Sequence, residues 1–183
     1  MTSSDSDHLD PTTELIDEPL PATGEPAFVR FRDRVRSREG TADLLTFRIG
    51  RERFAFDIRA VDEVLEATTL YAVPDSPVVL LGVNTYKGRA LAVFAPGAFL
   101  GTPHTVGGTV LVMRSGDRRI GLLVDDVDDV ESLQLATLAN PPFECGDELL
   151  LGVVWRAGVL TSIIDARALV GACHVAAAGG KAA

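Results

Sequence analysis

Three histidines, two cysteines and one dense run of carboxylates are the side chains with which this chain could do chemistry. His8 lies in an acidic N-terminal stretch, His104 in a Gly/Pro loop and His174 beyond the last patterned segment. Acid–base or nucleophilic catalysis needs a titrating group placed against a nucleophile or a second base. None of the three accompanies a motif such as G-x-S-x-G. Gly179-Gly180-Lys181 lacks the upstream glycine and the following Ser or Thr of a phosphate loop. Cys145 and Cys173 have no metal-like spacing and read as small buried thiols rather than a disulfide staple. Asp125, Asp126, Asp128, Asp129 and Glu131 invite a calcium reading. A calcium loop, however, needs oxygens converging around a bend that glycine permits. Here valines recur every third position without a glycine, so the run reads as the acidic outer face of an extended element. The expectation is a non-enzymatic binding protein with no catalytic, cofactor or metal site.

Composition bounds what such a protein binds. With 46% hydrophobic residues there is material for a core, yet no apolar run approaches the length of a membrane span. Met1–Glu25 has neither the basic nor the apolar region of a signal peptide, so a cytoplasmic protein without membrane insertion is expected. A formal charge of −9 argues against nucleic acid. The charge is uneven. Residues 1–26 sum to −7 with no Lys or Arg, residues 27–40 to +3, and the remainder to −5. An acidic stretch rich in Ser, Thr and Pro cannot offset its ordering entropy, so residues 1–26 read as a disordered tail. Residues 27–40 read as a basic amphipathic helix: Phe28, Phe31 and Val35 share one face, arginines including Arg32 and Arg36 fill the others, and Gly40 stops it. Two readings of this helix stay open. It packs its aromatic face on the domain, or it is a docking helix for a partner or acidic lipid.

The body, residues 41–171, is strand-rich. Hairpin patterns occupy 44–58, 80–94, 109–124 and 151–164, each around a glycine-containing turn, with Lys87-Gly88 at the second. Val61–Glu66 reads as a short helical turn running into a strand. Pro96 suits the first turn of a helix at Gly97-Ala98-Phe99. Asp165 and Gly171 read as the N- and C-caps of a short closing helix, leaving 172–183 as a flexible tail. Tyr86 and Trp155 each precede a hairpin turn, where an aromatic can stack on a neighbour or line a partner groove. The architecture is all-β apart from short helices, either one barrel or two small ones; periodicity leaves both open.

Taken in order, these segments resemble the CheW-like domain of chemotaxis coupling proteins. The pieces are Phe47–Ile58, Val61-Asp62-Glu63-Val64, Val73-Pro74, Leu81-Gly82-Val83 with Lys87-Gly88, Gly121–Val127, Leu151-Gly152-Val153, and Ile163-Ile164-Asp165 with Ala168-Leu169. The resemblance implies two SH3-like five-stranded barrels with a hydrophobic core between them, and no catalysis or cofactor. It also implies an adaptor or scaffold that couples the cytoplasmic tip of a chemoreceptor to the regulatory domain of a CheA-type histidine kinase. Other CheW-like proteins are further implied partners, in receptor arrays at the inner membrane or in cytoplasmic clusters. The implied partner surface is Val61, Glu63, Val83, Thr85, Tyr86, Lys87, Gly88 and Arg89.

Around that surface the sequence departs from the family pattern. Thr85 stands for Asn, Tyr86 for Leu, Lys87 for Arg, Ala92 for Pro, Ala95 for Asp and Pro96 for Leu. Lys87 is a flexible point charge where the family Arg is a planar fork, and it is expected to pair with Glu63. These departures keep a second reading in play, an accessory family member that retains one interface and tunes an array. A third is an unrelated small-ligand or nucleic-acid barrel, which the charge disfavours.

Overall fold

The computed structural model describes residues 30–67, 69–102, 108–115, 118–141, 149–156 and 158–179. His8, Phe28, His104, Cys145 and the acidic tail lie outside them. The elements are α1 (Phe31–Ser37), β1 (Thr41–Ile49), β2 (Glu52–Asp57), β3 (Val61–Glu66), β4 (Leu80–Tyr86), β5 (Arg89–Phe94), α2 (Gly97–Leu100), β6 (Thr109–Ser115), β7 (Arg118–Val124), β8 (Asp126–Gln134), β9 (Leu150–Arg156), β10 (Val159–Ile164) and α3 (Ala166–Gly179). All four expected hairpins form. Val61–Glu66 is strand throughout, and the helical turn sits before it at Ile58–Ala60, where the Asp57 carboxylate accepts the Arg59 N–H. The acidic run forms most of β8.

The strands make two five-stranded sheets, β8-β1-β2-β10-β9 and β3-β6-β7-β5-β4. The strand count agrees with two small barrels, but the edge strands β8 and β9, or β3 and β4, share no backbone ladder. Three apolar clusters follow. One lies inside each sheet's curl, and the largest lies between the sheets, with Phe47, Phe54 and Phe56 from one and Leu111, Met113 and Leu122 from the other.

The two halves of the chain repeat one another. β1–β5 followed by α2 corresponds to β6–β10 followed by α3, and exchanging equivalent strands turns one sheet order into the other. Registers coincide in detail. Leu45 faces Phe56 as Leu111 faces Leu122, and Ala55 lies beside Ile163 in a parallel pair as Gly121 lies beside Val93. Each half is divided between the sheets: β1 and β2 lie in the first and β3–β5 in the second, β6 and β7 in the second and β8–β10 in the first, with β3 pairing with β6 and β8 with β1 at the junctions. Gly82 and Gly152 are also equivalent. A Cβ on either would lie 2.6 Å from the Tyr71 carbonyl oxygen or 3.0 Å from that of Ala139, because a crossing segment bridges to the next residue, Val83 or Val153. Only glycine lets these backbones approach so closely.

Each exchanged strand is pinned in an equivalent way. Arg114 and Arg119, flanking the β6–β7 turn, both donate to Asp62 of β3, Arg114 at 2.6 and 2.8 Å. Arg53, and at longer range Arg48, flanking the β1–β2 turn, reach Asp128 of β8 at 2.9 and 3.6 Å. Asp62 is only 7% exposed, and its cover includes the guanidinium groups themselves. Burial pushes the Asp62 carboxyl up, but the two arginine hydrogen bonds outweigh it and hold the group below its ordinary value. The stabilisation is therefore present above the ordinary carboxylate pKa and is lost as pH falls through the lowered one.

Two sequence expectations are corrected at the helices. The basic helix is shorter than 27–40, running Phe31–Ser37, with Arg38 rather than Gly40 taking the left-handed position after it. Its apolar face is used within the chain. Val35 is fully packed and Phe31 half-buried on the cluster inside the first sheet, while Arg32 Nε donates to Asp165 at 2.7 Å, both side chains largely covered. Of the docking-helix residues within the described span, only Arg36 is exposed. At the other end, α3 does not stop at Gly171 but continues to Gly179, so residues 172–179 are helix. Cys173, one turn beyond Leu169 and Val170, is fully buried on the shared core. That burial offsets the roughly 1 kcal/mol an internal glycine costs. Asp165 caps this helix as expected, accepting the N–H groups of Arg167 and Ala168 at 2.9 and 3.2 Å.

Two measurements check these points. Asp62→Asn and Asp128→Asn should each lower urea-unfolding stability by roughly 1–2 kcal/mol, discounted for the exposed arginines; no loss in either would show that the ladders alone hold the exchanged strands. Gly171→Ala, with nothing within 4 Å of its added Cβ, should raise stability by about 0.5–1 kcal/mol. A helix that ended at residue 171 would not show this gain.

Candidate partner-binding surface

Side chains, not backbone, bridge the open edge of the second sheet. The Tyr86 hydroxyl at the end of β4 donates to the Glu63 carboxylate on β3. Lys87 Nζ lies 2.7 Å from the same carboxylate and 4.7 Å from the centre of the Tyr86 ring. The expected Glu63–Lys87 pair is thus present. Tyr86 is 8% exposed and packs its ring on the cluster of Leu91, Val93, Val110, Val112 and Leu123. Lys87 is 69% exposed. One anchored aromatic therefore carries a half-buried acid and an outward ammonium.

The turn that presents Lys87 has a constraint of its own. Tyr86 and Arg89 are paired, so the loop is the two residues Lys87-Gly88, with φ of +48 and +74. This is the hairpin turn whose twist suits flanking strands, and it needs positive φ at both positions. Glycine takes that conformation freely, and Asn or Asp with little cost; a lysine does so against its own preference. The ammonium's contact with Glu63 and Tyr86 offsets that preference. The Lys87 and Tyr86 hydrogen bonds hold the Glu63 carboxyl below its ordinary value, and Glu63 raises the Lys87 ammonium above its own. Both charges therefore persist across the neutral range.

The other residues of the expected surface are placed less uniformly. Thr85 and Arg89 are exposed beside the turn, as is Gly88 within it. Val83 lies further along β4, bridged to Tyr71. Val61 starts β3 opposite Met113 and packs against the shared core. Of the family departures, Ala95 is buried, so losing an acid there changes the interior rather than the surface. Asp62 with Arg114 and Arg119, beside this site, was missed by motif reading. It was accessible by comparing the chain with itself, since Val61-Asp62-Glu63-Val64 and Val127-Asp128-Asp129-Val130 recur, each answering an arginine pair around a turn. Trp155, equivalent to Thr85, is 69% exposed opposite Leu160 on the first sheet.

Residues 43–173 match the CheW-like domain. The chain belongs to that family. A probable chemotaxis protein CheW of Rhizobium etli is 34% identical over 95 residues, 50% of this chain and 61% of that protein. The match thus spans less than two thirds of that relative. Protein FrzA of Myxococcus xanthus is 29% identical over 121 residues, 63% of this chain and 76% of that one. The crystal structure of the scaffolding protein TtCheW from Thermoanaerobacter tengcongensis shares the fold at a TM-score of 0.61 and 19% identity, covering 69% of this chain and 90% of that one. Within a CheW-like domain, then, the Glu63–Tyr86–Lys87 cluster occupies the edge of the second sheet.

Lys87→Asn keeps a residue that tolerates the turn and removes the ammonium. The Glu63 titration midpoint, followed by side-chain carboxyl NMR, should rise toward the ordinary carboxylate value of about 4.3. An unchanged midpoint would show that Tyr86 alone sets it.

Proposed function

We propose that this protein is a non-catalytic scaffold of a chemosensory assembly, linking a chemoreceptor's cytoplasmic tip to the regulatory domain of a CheA-type histidine kinase. Membership of the CheW-like family supports the assembly. The observation that carries the site is the Glu63–Tyr86–Lys87 cluster. It is a charged, outward-facing group held on a rigid strand end in a turn unfavourable to lysine. Backbone conformations kept against a residue's preference point to function when the side chain is what the position needs. Thr85, Lys87 and Arg89 form the exposed contacts, with Glu63 orienting Lys87 and Tyr86 anchoring both. Such a surface contributes orientation and selectivity through charge more than raw affinity.

The accessory reading, with one interface kept, has one observation in its favour. Lys87 is spent on Glu63 within the chain and offers no bidentate fork to a partner. One experiment separates the two readings. The full chain is tested in pull-downs against the cognate kinase regulatory domain and, separately, a receptor-tip fragment. Coupling predicts capture of both, with Lys87→Glu weakening one of them roughly ten-fold and leaving the fold intact by circular dichroism. Capture of one alone identifies the accessory role. Capture of neither, in wild type, overturns both.

A further inference from the structure

The internal repeat gives the molecule two equivalent ends, and they differ in charge. In the second sheet the β4–β5 and β6–β7 turns lie at one end, because β5 and β7 run parallel with Ala92 beside Ile120. The start of β3 joins them there, with Val61 opposite Met113. Among the described side chains, 59–65, 86–89, Arg114 and Arg119 at that end supply five cationic residues and two carboxylates. The equivalent stretches of the first sheet, 125–131, 156–159 and 48–53, hold four and six. Asp57, which holds Arg59 from beneath, trims the cationic excess by one without reversing it. Lys87, Arg114 and Arg119 remain 69%, 63% and 44% exposed despite their ion pairs. A chain of formal charge −9 thus concentrates a positive surface at one of two otherwise equivalent places.

The same chain carries a complementary segment. Between Asp5 and Glu25 lie seven carboxylates and no Lys or Arg. This segment precedes Arg30, where the described chain begins on the first sheet's side. Covalent geometry allows the residues from Asp5 to Arg30 to reach up to about 80 Å. A domain of this size is roughly 35 Å across, so the segment reaches either end. The arginines of α1 are nearer: Arg32 is paired with Asp165, Arg34 and Arg38 bond the Thr41 carbonyl and Asn140, and Arg30 and Arg36 are exposed, so a contact confined to α1 is the alternative that the test below separates. The acidic end of the first sheet repels the segment. Because the segment is tethered, its effective concentration at the basic end is of millimolar order, so a contact too weak to form between separate molecules is substantially populated.

We propose that the acidic segment Asp5–Glu25 lies on the basic hairpin end formed by Lys87, Arg89, Arg114 and Arg119, and there competes with the partner of the Glu63–Tyr86–Lys87 surface. The competition rests on the partner reading given above; the contact itself does not. It makes the N-terminal segment a built-in, salt-sensitive antagonist of one interface, released by ionic strength or by a partner that binds the basic end more tightly.

The test uses the full chain with a nitroxide at Thr12→Cys and with Cys145→Ser. Cys173 stays, because it is fully buried and its thiol is pushed up to about 12, so it does not label. Amides of 86–89 and 114–119 should broaden at low salt and recover at about 0.5 M NaCl, where the Debye length falls to a few ångströms. No broadening there, or broadening confined to α1, overturns the contact. In parallel, changing the seven acids to their amides should raise affinity for the kinase regulatory domain or receptor fragment captured above roughly three- to ten-fold. Unchanged affinity overturns the competition. A chain that binds neither probe, with the acidic or the amide segment, overturns the partner reading, and the contact is then judged by the broadening alone.

Discussion

Neither half of this chain can complete its own sheet. β3 departs from the hairpin that precedes it and pairs with β6, and β8 departs in turn to pair with β1. Every other feature is arranged around that exchange. It places Phe47, Phe54 and Phe56 against Leu111, Met113 and Leu122 in one core that belongs to both sheets. It also sets the arginines around each first turn against an aspartate from the other half. The ladders provide the attachment, and the clamps make it specific. Sliding either strand by one residue would turn its aspartate to the opposite face, away from the guanidinium pair.

The exchange also determines where a partner surface can be. Each sheet curls until its edge strands are close enough to be bridged by side chains. At the first sheet the bridge is loose, Arg156 reaching Ser132 and Glu131 at 3.3 and 3.9 Å. At the second it is the tight cluster of Tyr86, Glu63 and Lys87. Equivalent positions have therefore diverged: Thr85 and Tyr86 at one edge stand where Trp155 and Arg156 stand at the other. The strands beneath keep both ends rigid, so side chains in the turns vary without disturbing the fold. This is why the rewritten stretch around Lys87 coexists with intact glycines at 82 and 88.

Much of this could be read from the residues. Alternation and turn glycines located all four hairpins, and the Glu63–Lys87 pair followed from charge at two motif positions. Local pattern failed where a distant contact decided the outcome. Gly171 looks like a helix end, but Cys173 is drawn into a core assembled from both halves, and the helix passes through. The acidic run is the extended, outward element expected of it, but nothing local shows that Arg48 and Arg53 come to meet it. The arginine-rich helix leaves two readings open from sequence, and Asp165 with the cluster around Leu133 and Val154 decides for the one that packs it on the domain. In each case the missing information was long-range pairing, which periodicity does not carry.

The order of strands along the chain has a consequence for how the protein is made. The second sheet is built from one contiguous stretch, β3 to β7, and all of its strands have been synthesised once Val124 has emerged. The first sheet is not. Its opening hairpin leaves the ribosome before the second sheet, and β8, β9 and β10 follow only after that sheet. Until then the aromatic face of Phe47, Phe54 and Phe56 lacks the cover of Ile164, Leu169, Val170 and Cys173, and β1 presents an unpaired edge, the kind of surface on which nascent chains associate. The sheet that the chain begins first is the one it finishes last.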